Sequence, residues 1–335
     1  VQVIMAIQKC YLHLNHAIFL LLLKSNELIS YGIRNGCVLP YPAHQELDLT
    51  IQSFCIMVCD MNTLVMKFGG AAVANPRQFA RIADIVLSRR QKYQRIVVVV
   101  SAMGDTTDEL ISLALQVNPE PPRREYDMLV SVGERISISL LAMALAAKQH
   151  QAVSFTGSQS GIITCHRHTD ARIIDVRPNR LLPVLDNGQV AIVAGFQGVS
   201  RKGEITTLGR GGSDTSAVAL AVALGATKVE FFKDVPGIFS CDPKENPQAQ
   251  LLPRLSYDAT LDILNKGAEV LQQRSVELAR RNGVLLHVLS FQDFDLKTSI
   301  QAEESLGTLV GSPDTIRLNH FIYEEEYESP VHTND

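Results

Sequence analysis

The sequence predicts an α/β protein: a doubly wound, mainly parallel central sheet with helices on both faces. Continuous apolar runs of the kind buried on both sides recur along the chain, most clearly Ile96 to Val100 and Val190 to Ala194. Stretches with helical apolar spacing separate them, and strands alternating with helices favour a parallel sheet. A glycine-rich turn, Gly209-Arg210-Gly211-Gly212, leads directly into the apolar stretch Thr215 to Leu224, which reads as a loop opening a buried helix that Gly225 closes.

In chain order, Leu64-Val65-Met66 is a short buried strand ending at Lys67 and followed by the turn Gly69-Gly70. Asn75-Pro76 starts a helix, with asparagine as N-cap and proline at the first helical position. Phe79, Ile82, Ala83 and Val86 follow at helical spacing, and Arg89 and Arg90 suit the carboxyl end. Ile96 to Val100 is the next strand, and a single helix is expected from about Met128 to Lys148. Further strands are Val190 to Ala194, Val229 to Phe232 and Val284 to Leu289. Ligands of such sheets sit at the carboxyl ends of strands, where the loops Lys67 to Gly70, Ser101 to Thr107, Gly195 to Gly198 and Lys233 to Gly237 fall.

Composition narrows the function classes. Hydrophobic residues are 46% and charged residues 20%, which is globular rather than disordered. A net charge of −4 gives no basic footprint for nucleic acid. The six cysteines are scattered through a chain too long to need disulfide staples and read as reduced thiols of a cytoplasmic protein. Cys55 and Cys59 lack zinc spacing, His166 and His168 have no obvious partners, and no metal site is expected from protein ligands. The apolar run Ala17 to Leu23 is too short to span a bilayer, so no membrane association is expected. Residues 1–60 read as an extension outside the fold, with Met61 placed as a natural initiator would be.

The glycine turn also carries chemistry. Backbone N–H groups at a helix start favour an anion, and Arg210 sets a guanidinium beside them, which points to phosphate and carboxylate handled at one place. Lys67 alone reads equally well as a solvated lysine at a strand end. Ser213 or Asp214 would serve simply as a helix cap. Glu134 lies among Ile136, Ile138, Leu140 and Leu141, where a carboxylate is costly unless paired, either with a ligand cation or internally with an arginine such as Arg135. Ser101 and Thr107 by themselves are turn-forming hydroxyls.

Taken together, these motifs resemble the aspartokinases of the amino-acid kinase family. The resemblance is carried in order by Lys67-Phe68-Gly69-Gly70, Ser101 to Thr107, Gly133-Glu134-Arg135-Ile136-Ser137, Gly195-Phe196-Gln197-Gly198, Thr206 to Asp214 and Asp234-Val235-Pro236-Gly237-Ile238. It implies ATP-dependent phosphorylation of the side-chain carboxylate of L-aspartate, which opens the route to lysine, threonine, methionine and diaminopimelate. Lys67 and Asp214 are then catalytic, the aspartate orienting the lysine. Ser101, Thr107, Glu134, Phe196 and Arg210 hold the acceptor, Arg210 gripping its α-carboxylate and Glu134 its α-ammonium. The resemblance gives the nucleotide, with Mg²⁺, to Lys67, Phe68, Gly69, Gly70, Gly211, Gly212, Ser213, Lys233, Asp234, Phe239 and Lys244.

The chain departs from the family pattern in places. Ala71-Ala72 replaces hydroxyl residues, Phe239 stands where tyrosine is usual, Lys244 where arginine is common, and Glu269 where many relatives carry a base, a change that Mg²⁺ or an arginine such as Arg274 would have to offset. Gly307 to Val310 reads as the last strand of a catalytic domain spanning residues 61–311, and residues 312–335 as a short acidic tail without a regulatory ACT domain. The expectation is catalysis without feedback inhibition, with a homodimer compatible. The rival readings are an inactive remnant that binds ATP or a partner, and another amino-acid kinase.

Overall fold

The computed structural model describes residues 62–301, apart from residues 227, 242, 244, 245 and 293–296. The expectations for residues 1–61, for Lys244, for the strand at 307–310 and for the tail lie outside the described residues.

The elements run β1 (Thr63–Phe68), α1 (Pro76–Arg89), β2 (Arg95–Val100), α2 (Thr106–Val117), α3 (Arg123–Val130), α4 (Val132–Ala147), β3 (Ala152–Phe155), β4 (Ile162–Thr164) and β5 (Ile173–Val176). There follow α5 (Leu181–Asp186), β6 (Val190–Ala194), β7 (Gln197–Ser200), β8 (Ile205–Thr207), α6 (Gly212–Ala223) and β9 (Lys228–Lys233). The described chain closes with β10 (Arg254–Ser256), α7 (Tyr257–Asn265), α8 (Gln273–Asn282), β11 (Leu285–Ser290) and β12 (Lys297–Gln301).

The main sheet has the order β10-β12-β11-β9-β1-β2-β6-β3 and is parallel except where β12 meets β11. Successive residues of a strand point to opposite faces, and here each face carries its own core. Val65, Val97, Val193 and Phe231 face α6 and α8, packing with Ala217 to Val222 and with Val276 and Ala279. Leu64, Met66, Ile96, Val98 and Ile192 face α1 and α4, packing with Phe79, Ile82, Val86, Ile138, Leu141 and Leu145. This double burial is why the strands read as unbroken apolar runs. Helix α6 is buried along its whole length up to Val222, which matches its lack of a polar face.

Asn75 caps α1 as expected, its side chain accepting from the Arg77 N–H at 3.1 Å. The expected helix from Met128 to Lys148 is instead two helices that break at Ser131. The Ser131 N–H donates to the Asp127 carbonyl, its Oγ donates to the Met128 carbonyl at 3.2 Å, and its own carbonyl, at the start of α4, also accepts from Gln197 Nε2 at 2.8 Å. Gly133 lets the first turn of α4 press on the loop after β2, since a Cβ there would lie 2.7 Å from the Ala102 Cβ. Residues Arg123–Ala147 are together long and apolar enough to cross a bilayer. They nevertheless carry the buried acids Asp127 and Glu134, and they seat Ile138, Leu141 and Leu145 on the sheet.

The sequence reading did not anticipate a second, four-stranded sheet of order β5-β4-β7-β8, which sits over the carboxyl end of β6. Its strands are only three or four residues long, too short to show the apolar run that marks the main sheet.

Removing the α1 cap by Asn75→Ala should lower stability by about 1 kcal/mol. Urea unfolding with an unchanged slope would register it, and an unshifted midpoint would show that the cap contributes nothing.

Candidate active site

Sheet register fixes where the chemistry gathers. Phe68, Val100, Ala194 and Phe232 stand side by side across the four central strands, so Gly69, Ser101, Gly195 and Lys233 all leave the sheet at one level. Phe68 and Phe232 are stacked, with ring centroids 4.5 Å apart, which anchors β1 to β9 just beneath this edge.

Lys67, the last residue of β1 on the α6 face, meets the first turn of α6. Its Nζ lies 2.6 Å from Asp214 Oδ1, and the Lys233 Nζ lies 3.1 Å from Oδ2 of the same carboxylate. The Gln272 N–H, at the start of α8, also donates to Oδ2 at 3.3 Å. Burial by itself would raise the Asp214 pKa, but Lys233 and Lys67 outweigh it and hold the carboxyl at about 2. Burial also pulls the Lys67 ammonium down to about 8; Asp214 opposes that fall and Lys233 adds to it. The expectation that Ser213 or Asp214 caps the helix is not met. Helix α6 has Gly211 as its N-cap, in the left-handed region at φ 72°, so no side chain stands at the capping position, and the Asp214 carboxylate is turned to the two lysines. Close packing brings this turn to the sheet edge: a Cβ on Gly195 would lie 2.6 Å from that of Ser213.

Glu134, in the first turn of α4, is buried. Its Oε1 accepts from the Ala102 N–H at 3.1 Å, while Oε2 is buried without a hydrogen-bond partner. Burial drives its pKa up to about 8, against the opposing effects of its own and the Ala102 N–H and of Lys67. The alternative of an internal pair with Arg135 is not found among the described residues.

These residues border a cavity of about 620 Å³. Lys67, Ser101, Thr107, Glu134, Phe196 and Arg210 all line it, together with residues 211–213. Phe196 holds φ 68°, an uncommon conformation for a residue with a side chain, and is fixed by an N–H bond to Ser216 Oγ at 3.2 Å. Arg210 is almost fully exposed and lies 4.0 Å from Asp108, at the mouth rather than in the interior.

The expected nucleotide residues gather less completely. Gly69 and Gly70 form the turn after β1, with the Gly69 carbonyl accepting from Ala72, and Lys233 joins the site through Asp214. Phe68 is a core residue, Asp234 is exposed and Phe239 half-buried, all away from the cavity lining. Ala72 packs into the core and Ala71 faces solvent. Arg274 is engaged with Asp170 at 2.7 Å, and Glu269 is exposed.

The sequence reading missed Thr169, Thr207 and Tyr126, which also line the cavity, and Asp127 behind them. His168, read as partnerless, lies with Nδ1 2.7 Å from Asp127 Oδ2. A signal was present: Asp127, Val130 and Glu134 fall on one helical stripe, and an acid on an otherwise buried stripe needs a reason.

Residues 62–290 match the Amino acid kinase family, and the chain belongs to that family. Among its relatives, the aspartokinase of Mycolicibacterium smegmatis is 52% identical over 231 residues, which cover 69% of this chain and 55% of that protein. The crystal structure of aspartate kinase from Synechocystis superposes with a TM-score of 0.65 at 43% identity, covering 73% of this chain and 40% of the other. E. coli aspartokinase III in complex with aspartate and ADP gives a TM-score of 0.65 at 28% identity, over 72% and 66% of the two chains. The chain thus spans a little over half the length of the curated relative it matches at 55% coverage.

Glu134 makes stability depend on pH with a definite sign. Its folded pKa of about 8 lies above the ordinary 4.5, so the folded state keeps a proton that the unfolded state releases. Its contribution therefore falls as pH rises from 4.5 towards 8 and is level above that. Glu134→Gln, which stays neutral, should gain in Tm relative to the parent between pH 5 and 9, as read by thermal unfolding. A difference independent of pH would contradict the burial-driven shift.

Proposed function

We propose that the chain carries an aspartokinase active site, transferring the γ-phosphoryl group of ATP to the side-chain carboxylate of L-aspartate in the cytoplasm. The products are 4-phospho-L-aspartate and ADP. One observation carries the reading: a buried glutamate with an unpartnered oxygen, in the same cavity as a buried lysine tethered to an aspartate. The first suits an α-ammonium, the second a phosphoryl group. The aspartokinase and aspartate kinase among its relatives support the same choice.

The chemistry asks little of a base. A side-chain carboxylate is already ionised at neutral pH and attacks as it stands. The task is to bring an anion to a polyanion and to stabilise charge spread over the transferring group. Lys67 supplies a buried cation for this, and Asp214, ionised throughout the neutral range, holds Lys67 and Lys233 on one carboxylate. An incoming phosphate would restore the lysine pKa that burial has lowered. Glu134 holds the α-ammonium, and Arg210, free to swing from its exposed position, takes the α-carboxylate as a bidentate fork. Ser101 and Thr107 offer hydroxyls on the same wall.

The residues present fit ATP with Mg²⁺. The buried Lys67 and Lys233 and the turns at Gly69-Gly70 and Gly211-Gly212 are suited to phosphates. No cluster of three or more metal-ligating side chains occurs among the described residues, so the ion would be held largely by the nucleotide phosphates and water. Bound in this way, Mg²⁺ offsets the phosphate charge.

The purified chain should release ADP from Mg·ATP only when L-aspartate is present, with the acyl phosphate trapped by hydroxylamine. Lys67→Ala should cut kcat by about 10²–10³-fold, and Asp214→Ala should act in the same direction. Folded protein with no aspartate-dependent turnover would favour the reading as a nucleotide-binding remnant.

A further inference from the structure

We propose that Asp127 is a positioning residue for the acceptor half of the site, fixing the spacing between Glu134 and the loop that carries Arg210. The proposal rests on the aspartokinase reading for the identity of the acceptor, and on geometry for the rest.

Asp127 lies on α3, is fully buried and does not itself line the cavity. Its carboxylate accepts from Thr207 Oγ1 at 2.6 Å and pairs with His168 Nδ1 at 2.7 Å. The Thr169 N–H lies 3.1 Å from both of its oxygens. A carboxylate is acceptor-only, and these donors use it fully, His168 carrying its proton on Nδ1. Thr207 and Thr169 both line the cavity. Thr169 holds φ 72°, where a β-branched residue is strained, so something must fix it there.

The tie runs in two directions. Thr207 ends β8, and its carbonyl accepts from the Ala171 N–H at 2.8 Å, so Asp127 clamps both chains of this crossing. Leu208 to Gly211, with Arg210 among them, follow at once. In the other direction, the Asp127 carbonyl accepts from the Ser131 N–H at 3.1 Å, at the break that begins α4 and sets Glu134 in its first turn. That bond is main-chain; the carboxylate is what ties α3, which leads into α4 and Glu134, to the crossing that leads into the Arg210 loop. Among the described residues nothing comparable links it to Lys233 or to the turn after β1, so its effect should fall on the acceptor and spare the nucleotide.

Asp127→Asn keeps the shape but turns an amide N–H₂ towards one of the donors. In the full chain it should raise KM for L-aspartate by about tenfold or more. KM for ATP should stay within about twofold and kcat within about threefold. Thr207→Val should shift KM for aspartate in the same direction, and Thr207→Ser, which keeps the hydroxyl, should restore it. In hydrogen exchange, Asp127→Asn should speed exchange in residues 165–172 and 205–212 and leave β1 and β2 unchanged.

Equal rises in both KM values, or unchanged exchange in those two segments, would overturn the proposal. If Asp127→Asn does not fold, Thr207→Val with Thr207→Ser decides it by the same split. If the parent protein does not phosphorylate L-aspartate, the functional reading falls, and exchange alone then decides: acceleration confined to the two segments upholds the role of Asp127, and no acceleration removes it.

Discussion

The site depends on one buried carboxylate shared by two lysines. Asp214 draws Lys67 from the end of β1 and Lys233 from the end of β9, and it also accepts from the backbone at the start of α8. Placing three charges out of water is costly, and removing one partner of such a set typically costs about 3–5 kcal/mol because the others are left uncompensated. The geometry is therefore held by electrostatics as much as by packing.

The parallel sheet makes that arrangement available. In-register strands end together, so β1 and β9 deliver Lys67 and Lys233 within two residues of one level, next to the first turn of α6. Gly195 and Gly211 then allow approaches that a side chain would block, the first against Ser213 and the second against Gln272. The stacked Phe68 and Phe232 hold the two strands together directly below. Packing, register and charge converge on the same few residues.

How much of this the sequence revealed follows from range. The central strands, the Asn75-Pro76 helix start and the glycine turn before α6 are local signals, and the structure has each of them. The five side chains expected around the acceptor line one cavity together with Lys67. The small sheet was missed because its strands are too short to carry a period, and the break at Ser131 because no proline marks it. Asp127 and His168 are joined across 41 residues, and no spacing rule reaches that far. Asp214 by itself reads only as a cap for the same reason, its partners being distant in sequence and adjacent only in the fold, and it was the family resemblance that paired it with Lys67.

The two halves of the cavity differ in how they hold charge, and that difference bears on selectivity. Lys67 and Asp214 are charged and matched before any ligand arrives. Glu134 is not: burial favours its neutral form near pH 7, and its Oε2 has no partner. A ligand ammonium makes the ionised form favourable and supplies the missing hydrogen bond, so it gains from both changes. An acceptor whose nitrogen is acylated brings no charge, leaves the carboxyl protonated and must find room for an extra group. On the proposed reading, the free α-amino group is what this half of the site recognises, and the preference arises from the cost of burying Glu134 alone.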